Sequence, residues 1–194
     1  MYASENGHSK AIGKLIEKGA DPNQSDEMGR TALMLATLNG HIETIDILIK
    51  GGANPNQANN GGWPALMLAS YNGHGDAIDM LIEKGADPNQ SENMGGTALI
   101  MASLNGHIDA IDKLIEKGAD PNQGDNMGQT ALMIVSGDGQ SEVIVKLIEK
   151  GADPNQANDD GWTALMYASF NGHSAAVDIL LEKGANPNQA ENMG

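Results

Sequence analysis

Cysteine is absent from the 194 residues, so a disulfide framework, a thiolate zinc centre and a cysteine nucleophile are all excluded. Aromatic residues are scarce, at 3% of the chain: Tyr2, Trp63, Tyr71, Trp162, Tyr167 and Phe170. The 40% of apolar residues can still form a core, but one built from Leu, Ile, Ala and Met. Positive charge is also short, with 11 Lys and Arg against 26 Asp and Glu, a formal charge of −15. Such a field repels phosphate backbones and anionic headgroups, which argues against nucleic acid and membranes and in favour of a basic protein partner. Apolar runs such as Ala98 to Ala102 fall far short of a membrane span. No basic segment followed by an apolar one comes after Met1, so no secretion signal is expected and the expected location is cytoplasmic.

Proline is sparse too, yet six of the seven (Pro22, Pro55, Pro88, Pro121, Pro154 and Pro187) stand 33 residues apart. Of the 25 glycines, 18 keep the same period in three sets that begin at Gly7, Gly19 and Gly29. Asn-Gly-His recurs in step at His8, His41, His74, His107 and His173, and the skipped period carries Asp138-Gly139-Gln140. Chance does not produce such a register, so the chain is a tandem array. It divides into a partial unit 1–25, full units 26–58, 59–91, 92–124, 125–157 and 158–190, and a partial unit 191–194, read as a single elongated repeat domain over 1–194.

One unit, residues 92–124, shows how each is built. Thr97 is placed to cap a short helix whose apolar side carries Leu99, Met101 and Ala102. Asn105-Gly106 stops it, because both residue types tolerate positive φ. A second helix is predicted from about Ile108 to Lys117, with Ile111, Leu114 and Ile115 on one face and Gly118 ending it. The polar, turn-rich stretch that begins at Asp120-Pro121 then leads into the next unit.

A 33-residue unit with Thr-x-Leu-x-x-Ala opening the first helix, Asn-Gly-His between helices and Gly-Ala-Asp-x-Asn after them resembles the ankyrin repeat. The resemblance covers essentially the whole chain. It implies an all-α ankyrin-repeat solenoid of helix–turn–helix units, with β-hairpin-like turns projecting to one side. Two departures stand out. The family's Thr-Pro-Leu-His is Thr-Ala-Leu-Met here, at Thr31, Thr130 and Thr163, which removes the usual histidine hydrogen bond of that motif. In unit 59–91 the threonine itself gives way to Pro64, which has no hydroxyl and should cost that helix about 1 kcal/mol.

The recurring polar residues invite chemistry, but their spacing disperses them. One histidine per layer puts successive rings roughly 8–10 Å apart, whereas zinc needs its nitrogens within about 2.1 Å of one ion. Each imidazole is therefore read as bonding the loop of a neighbouring layer. His8-Ser9 and His173-Ser174 are adjacent in sequence, do not face each other on a helix, and recur with no carboxylate to orient them. Asp46, Asp79, Asp112 and Asp178 form one column, expected to be a solvated face. The hairpin acids, Asp21, Asp87, Asp120, Asp153 and Asp159-Asp160, lack a calcium loop's dense oxygen pattern. Met34, Met67, Met133 and Met166 are read as inter-repeat packing. No catalytic residue, cofactor site or metal site is expected, and the chain is not read as an enzyme.

Positions that vary between units are free of stacking duty. The residue before the cap is Arg30, Trp63, Gly96, Gln129 and Trp162; the residue before Asn-Gly-His or its substitute is Leu38, Tyr71, Leu104, Gly137 and Phe170. The family resemblance places both columns on the concave, partner-binding surface. Arg30, Leu38, Trp63, Tyr71, Leu104, Gln129, Trp162 and Phe170 are thus the candidate contact residues of a non-enzymatic protein–protein scaffold or adaptor. Two alternatives stay open. The chain could be an excerpt of a larger repeat protein, or its uncapped ends could stack head to tail in weak self-association. For that stacking Ile12, Leu15 and Ile16 are expected exposed at one end, and Val177, Leu180 and Leu181 at the other.

Overall fold

The structure, a computed structural model, describes residues 1–189; the partial unit 191–194 and Ala190 of the unit before it lie outside the described residues. Among the described residues twelve helices follow in pairs: α1 (Tyr2–Glu5) and α2 (Ser9–Glu17), α3 (Ala32–Leu38) and α4 (Ile42–Lys50), α5 (Ala65–Tyr71) and α6 (Gly75–Glu83). The series continues with α7 (Ala98–Leu104) and α8 (Ile108–Glu116), α9 (Ala131–Gly137) and α10 (Ser141–Glu149), α11 (Ala164–Phe170) and α12 (Ser174–Glu182). No strand occurs among the described residues. The limbs of four hairpin-like turns meet in single antiparallel bridges, Ser25–Thr31, Ala58–Pro64, Ser91–Thr97 and Ala157–Thr163. First helices pack on first helices of adjoining units, second on second, and each pair on itself, which makes an all-α solenoid.

The helices are short, so their ends decide much of their geometry. Thr31, Thr97, Thr130 and Thr163 each accept a hydrogen bond from the backbone N–H three residues on. The missing histidine bond is partly replaced: the Thr31 and Thr163 amides donate to the sulfurs of Met34 and Met166 at 3.4 and 3.5 Å. Pro64 offers no side-chain cap, as its chemistry requires. The C-terminal turns follow one rule, seen at α8. Lys117 caps, Gly118 turns to φ +101°, and Gly118 and Ala119 donate back to the carbonyls of Ile115 and Leu114.

Burial follows the helical stripe. Leu99 and Leu114 are buried, and so are Met34, Met67 and Met133 of the methionine column, while Met166 is half-buried. The expected end patches are smaller than their sequence suggests, because Ile12 and Leu180 are both buried. Leu180 is covered by its own stack, Ile16 and Val177 are half-buried, and of the expected end residues Leu15 and Leu181 are exposed.

The aspartate column is likewise not a simple solvated face. Asp79 and Asp112 are half-buried and hold lysines of the next unit, Lys113 at 2.8 Å and Lys146 at 2.9 Å, with Lys150 also 3.2 Å from Asp112. Burial would raise the Asp112 carboxyl, but hydrogen bonds from Lys146 and Lys150 outweigh it and hold it below the ordinary carboxylate value. Only Asp178 of the column is openly exposed.

Candidate functional site

Registry between layers comes from polar side chains that each reach across one period. Nε2 of His41, His74, His107 and His173 lies 2.9–3.1 Å from the backbone carbonyls of Glu5, Leu38, Tyr71 and Gly137, each 36 residues earlier. A carbonyl oxygen can only accept, so Nε2 carries the proton. In the skipped period the Gln140 amide donates to the Leu104 carbonyl instead. The rings press on the glycine of the preceding layer. At Gly73, φ is +69° and an added Cβ would meet the His107 ring at 2.7 Å, so glycine is required there twice over. Every carbonyl in this ladder belongs to the column before Asn-Gly-His or its substitute, with Glu5 as the member in the first unit. His74 and His107 thus anchor the backbone that presents Leu38 and Tyr71, and Gln140 anchors that of Leu104.

A second ladder runs through the turns, and the sequence pattern did not reveal it. Asn23, Asn56, Asn89, Asn122 and Asn155, each after a periodic proline, donate to a glycine carbonyl in the next layer and accept from a backbone N–H there. Asn56 does so with Gly85 and Asp87, and Asn89 with Gly118 and Asp120. The following glutamine donates backward, as Gln90 does to the Asn56 carbonyl. The exact recurrence of Pro-Asn-Gln was the available signal.

The eight candidate contact residues fall into two groups. Leu38, Tyr71, Leu104 and Phe170 are exposed; Arg30, Trp63, Gln129 and Trp162 are half-buried and held by neighbours. Arg30 pairs with Asp26 of its own hairpin at 2.8 Å, and the Arg30 backbone N–H, with its side chain, keeps that carboxyl below the usual range. Trp63 packs edge-on against Tyr71, with ring centroids 6.0 Å apart. Trp162 meets Phe170 at 5.5 Å and Tyr167 at 5.2 Å. Gln129 donates to the Tyr167 hydroxyl at 2.8 Å, so that variable position does contribute to stacking after all.

Two sets of residues were missed by sequence reasoning. Tyr167 completes a three-ring cluster, yet its helical position marked it as ordinary core. It accepts from Gln129 and from Asn158, the latter at 3.0 Å. Burial pushes its hydroxyl above the ordinary phenol value; the Gln129 bond opposes this, and nearby Asp160 and Asp125 add to it. Trp162, Tyr167 and Phe170, with Asp160 and Asn171, line a cavity of about 440 Å³. The other set is Met28, Met94 and Met127 at the turn tips, where Met94 is 75% exposed. A thioether recurring every 33 or 66 residues inside polar turns was the signal.

Among the described residues, no group of three or more His, Cys, Asp or Glu is arranged to hold a metal ion, and no helix is long and apolar enough to cross a membrane. No curated protein matches the chain. The family model for ankyrin repeats in three copies matches residues 1–92 and 99–191, and a second, for ankyrin repeats in many copies, matches 76–115. Ankyrin repeats are generally protein–protein interaction modules. With helix pairs, turns and register repeating over nearly its full length, the chain belongs to the ankyrin-repeat family.

Proposed function

We propose that residues 1–194 act as one elongated, non-enzymatic scaffold or adaptor for a basic protein, most simply in the cytoplasm. The contact face combines Leu38, Tyr71, Leu104 and Phe170 with the turn-tip methionines. The observation that carries this reading is the placement of exposed apolar side chains. In a chain with 3% aromatic residues, Tyr71 is 47% and Phe170 77% exposed, each on a tryptophan that stiffens it. Rigid aromatic anchors beside adaptable methionines suit protein recognition. The charge of −15 favours a basic partner by steering.

Affinity capture with the wild-type chain and with a Trp63→Ala/Trp162→Ala double variant tests the reading. A partner retained by the wild type and lost by the variant is expected, with salt slowing the on-rate. A partner that ignores both tryptophans and binds the aspartate column on the second helices would refute it.

A further inference from the structure

The cavity at unit 158–190 has a composition found in none of the other units. At the position of Tyr167, earlier units carry Tyr2, Leu35, Leu68, Met101 and Ile134; at that of Phe170 they carry Glu5, Leu38, Tyr71, Leu104 and Gly137, so no earlier unit has aromatic residues at both. Three rings therefore converge once. Tyr167 and Phe170 stand at 52° and 75° to Trp162, so the three form walls at angles to one another instead of a flat stack. Two of the walls are held before any ligand arrives. The Tyr167 hydroxyl takes two amide donors, and the Trp162 backbone N–H donates to Asn158 at 2.7 Å. Asp160 supplies a carboxylate at the same cavity, and its lining residues include no lysine, arginine or histidine.

We propose that this cavity binds an alkylated ammonium group, a quaternary nitrogen or a methylated lysine side chain. Ring faces attract cations through their quadrupole, most strongly where water is displaced. A bare ammonium is tightly hydrated and needs acceptors for three N–H bonds, and the Tyr167 oxygen is already occupied. An alkylated nitrogen has few or no N–H groups to satisfy and an apolar shell that three rings can cover. Asp160 supplies the balancing charge. The proposal deepens the interaction reading above and rests on it for the source of the group, but the chemistry can be tested with no partner at all.

The test is a nitrogen-15 titration of the full chain that follows the indole N–H signals of Trp162 and Trp63. The probes are tetramethylammonium chloride against equal sodium chloride, then choline against its neutral carbon isostere 3,3-dimethylbutanol. Trp162 should move with tetramethylammonium and choline, and Trp63, whose unit has Leu68 and Gly61 at the Tyr167 and Asp160 positions, should not. Phe170→Leu, an exposed position where folding is not at risk, should weaken binding about five- to tenfold. Asp160→Asn should weaken it about threefold. A basic peptide with trimethyllysine, compared with its unmodified form and with choline, separates the sources: tighter binding than both assigns the group to a protein side chain, and binding no tighter than choline assigns it to a free quaternary amine. Equal shifts of both tryptophans, equal binding of dimethylbutanol, or no shift with tetramethylammonium would overturn the proposal. The capture result with the double tryptophan variant would stand apart from any of these.

Discussion

Units 59–91 and 158–190 start from the same plan and diverge at two points. Each sets a tryptophan before the first helix and an aromatic residue before Asn-Gly-His, and each forms an edge-on ring pair, at 70° and 75°. The first divergence is the cap. The Thr163 side chain bonds the Met166 amide and Pro64 has no side-chain cap, yet α5 and α11 both run 7 residues from nearly the same extended backbone, φ −78° ψ 171° against φ −100° ψ 167°. Helices this short are marginal alone, so what holds α5 in place is α3 and α7 on its two sides. The second divergence is chemical. Tyr167 and Asp160 turn a ring pair into a lined cavity, where Leu68 and Gly61 leave Trp63 against the core. A cap can be lost from an interior layer with little visible consequence, whereas a tyrosine for a leucine and an aspartate for a glycine change the lining of a surface cavity.

The largest expected effect contrasts the cores of the two units. Leu66 is 1% exposed between two flanking first helices, and Leu165 is 9% exposed with α9 on one side. Leu66→Ala should cost about 3–5 kcal/mol and Leu165→Ala nearer 2 kcal/mol in urea unfolding. The reverse order would mean that flanking layers do not set helix stability. Next comes Tyr167→Phe, which leaves the amides of Gln129 and Asn158 without their acceptor. A loss of about 1–2 kcal/mol is expected, and none would show that water replaces the hydroxyl freely. Exchanging the caps should move the two units in opposite directions by about 1 kcal/mol each, Thr163→Ala losing stability and Pro64→Thr gaining it.

The smallest effect concerns the aspartates. Asp79→Asn removes a partner of Lys113 and should cost about 0.5–1 kcal/mol, while Asp178→Asn, at an exposed position with no lysine partner among the described residues, should stay within about 0.5 kcal/mol. The hydrogen bond to Asp79 raises the Lys113 ammonium above its ordinary value, with burial opposing it and Asp109 and Asp76 assisting. A raised lysine contributes stability that is fully present below the unfolded lysine value and lost as pH rises through the folded one. The gap between wild type and Asp79→Asn should therefore close in alkali. A gap that persists there would assign the effect to packing.

Much of this architecture could be read from residue order. Thr97, Asn105-Gly106 and Gly118 mark helix ends within one to three positions of the groups they satisfy, and the expected end of the second helix at Lys117 differs by one residue from Glu116. The histidine ladder was legible for the same reason that the metal reading failed: one ring per layer can reach only the next layer. The aspartates were misread because a charge on the helix face opposite the leucines looks solvated until the lysine of the following unit is set beside it. Tyr167 was passed over because an apolar-face position says nothing about a hydroxyl reaching Gln129, 38 residues before it.

By itself the sequence determined everything that acts inside one period: the helices, their caps, the tight turns, the leucine stripe and the 33-residue repeat. These depend on contacts three to six residues apart, which residue type and spacing specify directly. Only the tertiary structure decided what happens between periods. The partners of His107, Asn89, Lys113 and Tyr167 lie 29 to 38 residues away, or at the far side of a turn, in the stack. Which atoms meet there depends on the rotation and rise from one layer to the next. Those follow from the packing of all the helices together, and no single unit encodes them.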